Sequence, residues 1–170
     1  MLQRCFDNKY KEKEPTYKDA TCCDRWLCFA NFLEDFEILK NEYNWSEDET
    51  LNLDKDILHK NNKIYSLENC ILVPNWINML FVNNDAKRGE YPIGVCYNKQ
   101  RKKYQAFCNI NRKQIGLGYY NTIEQAFNAY KMAKENEIKR IVNDCVSKGF
   151  MTKDSRLYKA MISYQIEITD

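Results

Sequence analysis

The chain has 170 residues, with 26 Lys and Arg against 24 Asp and Glu, one His and a formal net charge of +2. Hydrophobic residues make up 44% and aromatics 14%, with 5 Gly and 3 Pro, which supplies one ordinary core or two small ones and argues against a disordered or fibrous chain. No run of about 18 apolar residues is available to cross a membrane, Met1–Tyr10 carry no apolar core of a secretion signal, and a single His excludes a two-His metal site.

Residues 1–20 read as polar and irregular, with Pro15 breaking any helix there. From Asp24 to Tyr43 the large apolar residues Trp26, Phe29, Leu33, Phe36, Leu39 and Tyr43 recur in steps of three and four, which predicts one amphipathic helix. Asn44–Asn52 is an acidic loop. Leu51–Leu58 reads as a short strand ending near Asp54–Asp56, Lys60–Lys63 as a turn, and Ile64–Tyr65 as the start of a second strand. Pro74 is placed to open a helix carrying Trp76, Ile77, Leu80 and Phe81. The charged segment Asp85–Glu90, with Gly89, reads as a linker.

Beyond the linker the pattern is more regular. Ile93–Tyr97 is a first strand and Lys99–Lys102 a turn. Lys103–Ile110 alternates, with Tyr104, Ala106, Cys108 and Ile110 on one face and Lys103, Gln105, Phe107 and Asn109 on the other. Lys113–Tyr120 is a third strand interrupted by Gly116 and Gly118. Thr122-x-x-Gln125 is a capping box that opens a long helix, with Ile123, Ala126, Phe127, Tyr130, Ala133, Ile141 and Cys145 on one side. Residues 147–170 form a tail with a short helix around Leu157 and Met161 and a strand-like end at Ile166 and Ile168.

Charge is unevenly placed. Glu34 to Asp56 hold nine acidic residues opposed only by Lys40 and Lys55, whereas Tyr91 to Asn121 hold six basic residues and no acidic one. The basic segment points to a polyanion partner, against the simpler reading of a solubilising hairpin tip. The eight cysteines include no CxxC pair, so free, mostly buried thiols in a reducing cytosol are expected.

The second half resembles the APETALA-type DNA-binding domain. The resemblance rests on Gly94-Val95, Tyr104-Gln105-Ala106, Leu117-Gly118, Thr122, Glu124, Ala126, Ala129-Tyr130 and Ala133. It implies a three-stranded sheet that enters the major groove with a helix packed behind it. The expected DNA-contacting residues are Asn98, Lys99, Arg101, Lys102, Lys103, Gln105, Phe107, Asn109, Arg112, Lys113 and Gln114, on or around a face that also carries Cys96. Where plant members of the family place Arg and Trp, this chain has Cys96, Asn98 and Gly116, which departs from their GC-rich preference.

The first half resembles the HNH nucleases of bacteriophages and mobile elements. The matching residues are Leu53-Asp54-Lys55-Asp56-Ile57, Asn62-Lys63, Glu68-Asn69-Cys70, Val73-Pro74 and Asn78, with upstream similarity at Arg4-Cys5-Phe6 and Trp26-x-x-Phe29. The resemblance implies a ββα-metal site, with Asn69 as the middle Asn and Asp56 with Asn78 as ligands for Mg²⁺ or Mn²⁺. The general-base His position falls on Asp56, and His59, the only His, lies in the expected turn. Lys55 falls on the opposite strand face; were it to face the site, its charge would partly replace a metal.

The expected fold is therefore α+β: a degenerate ββα-metal module with an N-terminal helix over 1–88, an APETALA-type domain over 89–146, and the tail. The resemblances imply a phage-type protein in the cytoplasm of a bacterial host, binding double-stranded DNA, with endonuclease activity weak or lost. Two alternatives stand beside it: an active metal-dependent nicking enzyme, and an inhibitor of a host defence protein that presents Glu34–Asp56 as a DNA mimic or an aromatic surface as an anchor.

Overall fold

The structure, a computed structural model, describes residues 1–82 and 90–170. The chain is mixed α+β and divides into two units, Met1–Phe81 with Cys145–Ala160, and Val82–Asp144 with Met161–Asp170. The segment 147–170, expected as a separate tail, is thus shared between them. The linker expected over Asp85–Glu90 lies, Glu90 apart, outside the described residues. Among the described residues no helix is long and apolar enough to cross a membrane.

The first unit begins with two short helices, α1 (Leu2–Phe6) and α2 (Asn8–Lys13), where an irregular segment was expected. Asp7 makes the second possible, because its carboxylate accepts the Tyr10 N–H at 3.1 Å as an N-cap. Pro15 starts a 3₁₀ turn rather than interrupting a helix. The two-residue strand β1 (Thr21–Cys22) and a 3₁₀ turn, Asp24–Leu27, lead to α3 (Phe29–Lys40). The single helix expected from Asp24 is therefore broken at Cys28, which is extended at φ −94°, ψ 121°.

Asp35 explains the break. It is 3% exposed, accepts the Trp26 indole N–H at 2.7 Å and pairs with Arg25 at 3.0 Å. In one continuous helix Trp26 and Asp35, nine residues apart, would point to opposite sides at about 100° per residue. The chain folds back instead, and the buried side of α3 becomes Phe32, Asp35, Phe36 and Leu39. Phe29 and Leu33, expected inside, are 74% and 46% exposed.

Strand β2 (Leu51–Asp54) is followed by β3 (Ile64–Tyr65), which pairs in parallel with β1, and by β4 (Ile71–Pro74), which pairs antiparallel with β2. Pro74 caps α4 (Asn75–Asn78), as its position suggested. That helix stops early, because Leu80 and Phe81 bond three residues back, to the carbonyls of Ile77 and Asn78. Trp26, Leu39, Tyr65, Cys70 and Leu72 form the core of this unit.

The second unit is a three-stranded antiparallel sheet, β5 (Val95–Asn98), β6 (Lys103–Ile110) and β7 (Lys113–Tyr120), in that spatial order. It is followed by α5 (Ile123–Ser147), whose residues to Asp144 belong to this unit. The capping box forms: Thr122 Oγ1 accepts the Gln125 N–H at 3.2 Å, and Gln125 reaches back to the Asn121 N–H at 3.3 Å. Val95, Ala106 and Cys108 from the sheet pack against Ala126, Phe127 and Tyr130 of α5. The first strand starts at Val95 rather than Ile93 because Gly94 turns the chain at φ 75° directly under the Tyr130 ring, where a Cβ would come within 2.1 Å of a ring carbon. A last helix, α6 (Arg156–Ile162), precedes a C-terminal stretch that is not a strand. Ile166 there is 4% exposed and joins the core of the second unit.

Candidate nucleic-acid interface

The strand register decides what shares a face. Residues opposite one another in an antiparallel pair project to the same side. Cys96 lies opposite Gln105 and Gln105 opposite Tyr119; Asn98 faces Lys103, Phe107 faces Gly116, and Asn109 faces Gln114. None of these belongs to the core beneath α5, which takes the alternate residues Val95, Tyr104, Ala106, Cys108 and Ile110. The register shift between Ala106 and Phe107 skips Leu117, so the alternation continues past the irregularity. The structure thus places Asn98, Lys103, Gln105, Phe107, Asn109 and Gln114 on the sheet face away from the helix. Gly116 leaves room there, and the Gln105 amide nitrogen lies 3.7 Å from where a Cβ would stand.

Cations gather at the two ends of β6. At one end, Asn98 Oδ1 accepts the Arg101 N–H at 2.9 Å, and Lys102 takes positive φ, 52°, closing the β5–β6 turn. The Arg101 guanidinium lies 4.5 Å from the centroid of the Tyr119 ring. Tyr119, 39% exposed, is a member of the face that sequence reasoning missed. The alternation of β7 points to it only once the register with β6 is known.

At the other end Asn111 and Arg112 both have positive φ, 51° and 62°, the geometry of a two-residue type I′ turn between Ile110 and Lys113. Glu137, 5% exposed on α5, accepts the Asn111 N–H at 2.9 Å and pairs with Arg140 at 2.7 Å. The Arg140 hydrogen bonds hold its carboxyl below the usual range against burial, which pushes the other way. Among the described residues, Lys99, Lys102, Lys103, Arg112 and Lys113 make no ion pair.

The first unit arranges its candidates differently. After β2 the chain turns, because Asp54 Oδ1 accepts the N–H groups of Asp56 and Ile57 at 2.7 and 2.8 Å. Burial pushes the Asp54 carboxyl up in spite of these bonds. The strand alternation expected through Leu58 therefore ends at Asp54, and Lys55 is not carried to the far side. It is 5% exposed, and its ammonium holds both Asp56 oxygens, at 2.8 and 2.7 Å, and the Asn62 carbonyl at 2.6 Å. Asn62 ties the same loop from its amide, to the carbonyls of Lys55 and Ile64.

His59 is exposed in the turn, and its carbonyl accepts the Asn62 N–H. The Asn69 backbone N–H donates to Ser66 Oγ at 3.3 Å, and Asn78 ends α4. No hydrogen bond joins any two of Asp56, His59, Asn69 and Asn78 among the described residues.

These residues do not fit a divalent metal. Mg²⁺ or Mn²⁺ wants several free oxygen ligands, and both Asp56 oxygens already accept from the Lys55 ammonium. Among the described residues no cluster of three or more His, Cys, Asp or Glu is placed to hold a metal ion.

No family model, curated protein or solved structure matches this chain.

Proposed function

We propose that this protein binds double-stranded DNA through the open face of its three-stranded sheet, and that its first unit is a nuclease-like ββα scaffold without a working metal centre. The observation that carries the reading is the set of unpaired cations at both ends of β6, flanking a polar face with no carboxylate on it. Arg25, Lys55, Lys131, Arg140 and Arg156 are engaged with carboxylates, while other lysines, such as Lys9, Lys13, Lys18 and Lys153, also make no ion pair among the described residues; what sets the sheet apart is that its cations flank a face without acids. Cations left without acids beside a polar sheet face suit a row of phosphates, whose neutralisation releases counterions. In the first unit the Lys55 ammonium already donates to both Asp56 oxygens, so cleavage is not part of the proposal. Such a protein would work wherever the DNA lies, in a bacterial host the cytoplasm.

Gel-shift titrations of a mixed-sequence duplex over a range of salt test this. The affinity should fall steeply with salt, with a log–log slope of at most about −5 if all six basic residues meet phosphates. Replacing Lys102, Lys103, Arg112 and Lys113 by Ala should flatten that slope. The absence of any complex at low salt would refute the proposal, and plasmid nicking in Mg²⁺ that disappears in Asp56→Ala would refute its second half.

A further inference from the structure

The interior of the sheet face has a composition of its own. Between the cationic ends it carries carboxamides, Gln105, Asn109 and Gln114, and their amides take no protein hydrogen bond among the described residues. Phe107 lies between Gln105 and Asn109 on the same strand face. Asn109 and Gln114 are directly paired across β6 and β7, so two of the amides stand side by side.

A primary amide presents a donor and an acceptor next to each other. That is the complement of the adenine edge in the major groove, where N6 donates and N7 accepts; guanine shows two acceptors there and is met by Arg or Lys. The thymine partner adds a methyl group that suits an apolar contact such as a phenyl ring.

The dimensions agree with this division. At about 3.4 Å per residue, β6 is about 24 Å long from Lys103 to Ile110, roughly twice the about 12 Å width of the major groove. Its ends therefore overhang toward the phosphates. The stretch from Gln105 to Asn109, about 14 Å on the same rise, covers the base edges.

Resting on the DNA-binding proposal, we infer that this face selects adenine–thymine pairs from the major groove, with Gln105, Asn109 and Gln114 on adenine edges and Phe107 on thymine methyl groups.

Fluorescence anisotropy on two labelled duplexes of equal length, one rich in A·T and one in G·C, measures this at a single salt concentration. The A·T duplex should bind about tenfold or more tightly. Substituting 7-deazaadenine removes N7 from the major groove and leaves the minor groove unchanged; it should bring the affinity down toward that of the G·C duplex. A double variant, Asn109→Ala with Gln114→Ala, should bring the ratio of the two affinities toward one, and a ratio as large as that of the wild type would overturn the inference. Both residues are exposed, so the fold is not at risk. Equal affinities, a G·C preference or indifference to 7-deazaadenine would overturn the inference and leave DNA binding standing. Failure to bind either duplex at low salt would overturn both.

Discussion

Replacing Lys55 by Met keeps the length and apolar stem of a side chain that is 5% exposed and removes only its ammonium. The ammonium has three oxygen partners within 2.8 Å. A charge-assisted hydrogen bond is worth about 1.5–3 kcal/mol net, but the three do not add. Asp56 is 49% exposed and regains water when its partner leaves, so its share is about 1 kcal/mol or less. The Asn62 carbonyl loses its ammonium donor, at a cost of about 1–3 kcal/mol. Together these give a loss of roughly 2–4 kcal/mol, a large part of the about 5–15 kcal/mol that holds a domain together. The chain's three tryptophans, Trp26, Trp45 and Trp76, all lie in the first unit. Their fluorescence during urea unfolding therefore reports that unit alone. Asp56→Asn should shift the same transition much less, by about 1 kcal/mol at most. A Lys55→Met protein as stable as the wild type would refute the reasoning. So would a wild-type transition that moves upward in millimolar Mg²⁺, because the Asp56 carboxylate would then be open to a cation.

Gly94→Ala should unfold or severely destabilise the second unit, by about 3 kcal/mol or more, since the new methyl would meet the Tyr130 ring at 2.1 Å on a backbone at φ 75°; thermal melting by circular dichroism reads it, and a melting temperature within a few degrees of wild type would count against the packing described. Arg112→Gly relieves a non-glycine residue at φ 62° and should raise stability by about 0.5–1 kcal/mol, while lowering the salt slope of DNA binding by about one unit as one phosphate contact is lost. Glu137→Gln should cost about 1–2 kcal/mol at neutral pH by weakening the bonds to Asn111 and Arg140. The sign with pH is fixed by the direction of the shift. Because the folded carboxyl lies below its ordinary value of 4.5, its contribution is present above that value and is lost as pH falls through the folded one. The gap between wild type and variant in urea midpoints should therefore close in acid, and a gap that stays constant to pH values well below 4.5 would contradict the assignment.

The second unit was the more legible half because its signals are local. Alternation along Lys103–Ile110 and the Thr122–Gln125 box are satisfied by neighbours a few residues away, and β6, β7 and the turn between β5 and β6 lie where the pattern put them. Gly94 was read as part of the first strand, and only the packed Tyr130 ring explains why the chain turns there and the strand begins just after it. The first unit depends on partners distant in sequence. Nothing near Cys28 announces a break; it comes from Asp35 drawing Trp26 and Arg25 to itself. Similarly, the apolar period from Trp26 to Tyr43 chose Phe29 and Leu33 over Phe32, because periodicity gives a face but not the side that is covered. The Asp54 turn redirected Lys55, a reversal that the strand pattern around it conceals. Arg156 gave no sequence signal at all. It fastens Glu42 at 2.6 and 2.8 Å and caps the carbonyls of Leu67 and Glu68, contacts that span 88 to 114 residues.

The two charged stretches look symmetrical in the sequence and become unlike on folding. Of the nine acidic residues between Glu34 and Asp56, Glu34 and Asp35 hold Arg25, Glu42 holds Arg156, Asp56 holds Lys55, Asp54 closes a turn on backbone N–H groups, and Glu49 accepts from the Trp76 indole. These six carboxylates are held by the fold, whereas Glu37, Glu47 and Asp48 are exposed and make no ion pair among the described residues. The basic stretch has no such internal partners. At physiological salt, charges beyond about 8 Å are largely screened, so an approaching polyanion senses the local group at the ends of β6 rather than the net charge of +2. On the proposed reading, that local group at the ends of β6 is what the phosphates of a duplex would meet, and its neutralisation is what the salt titration measures.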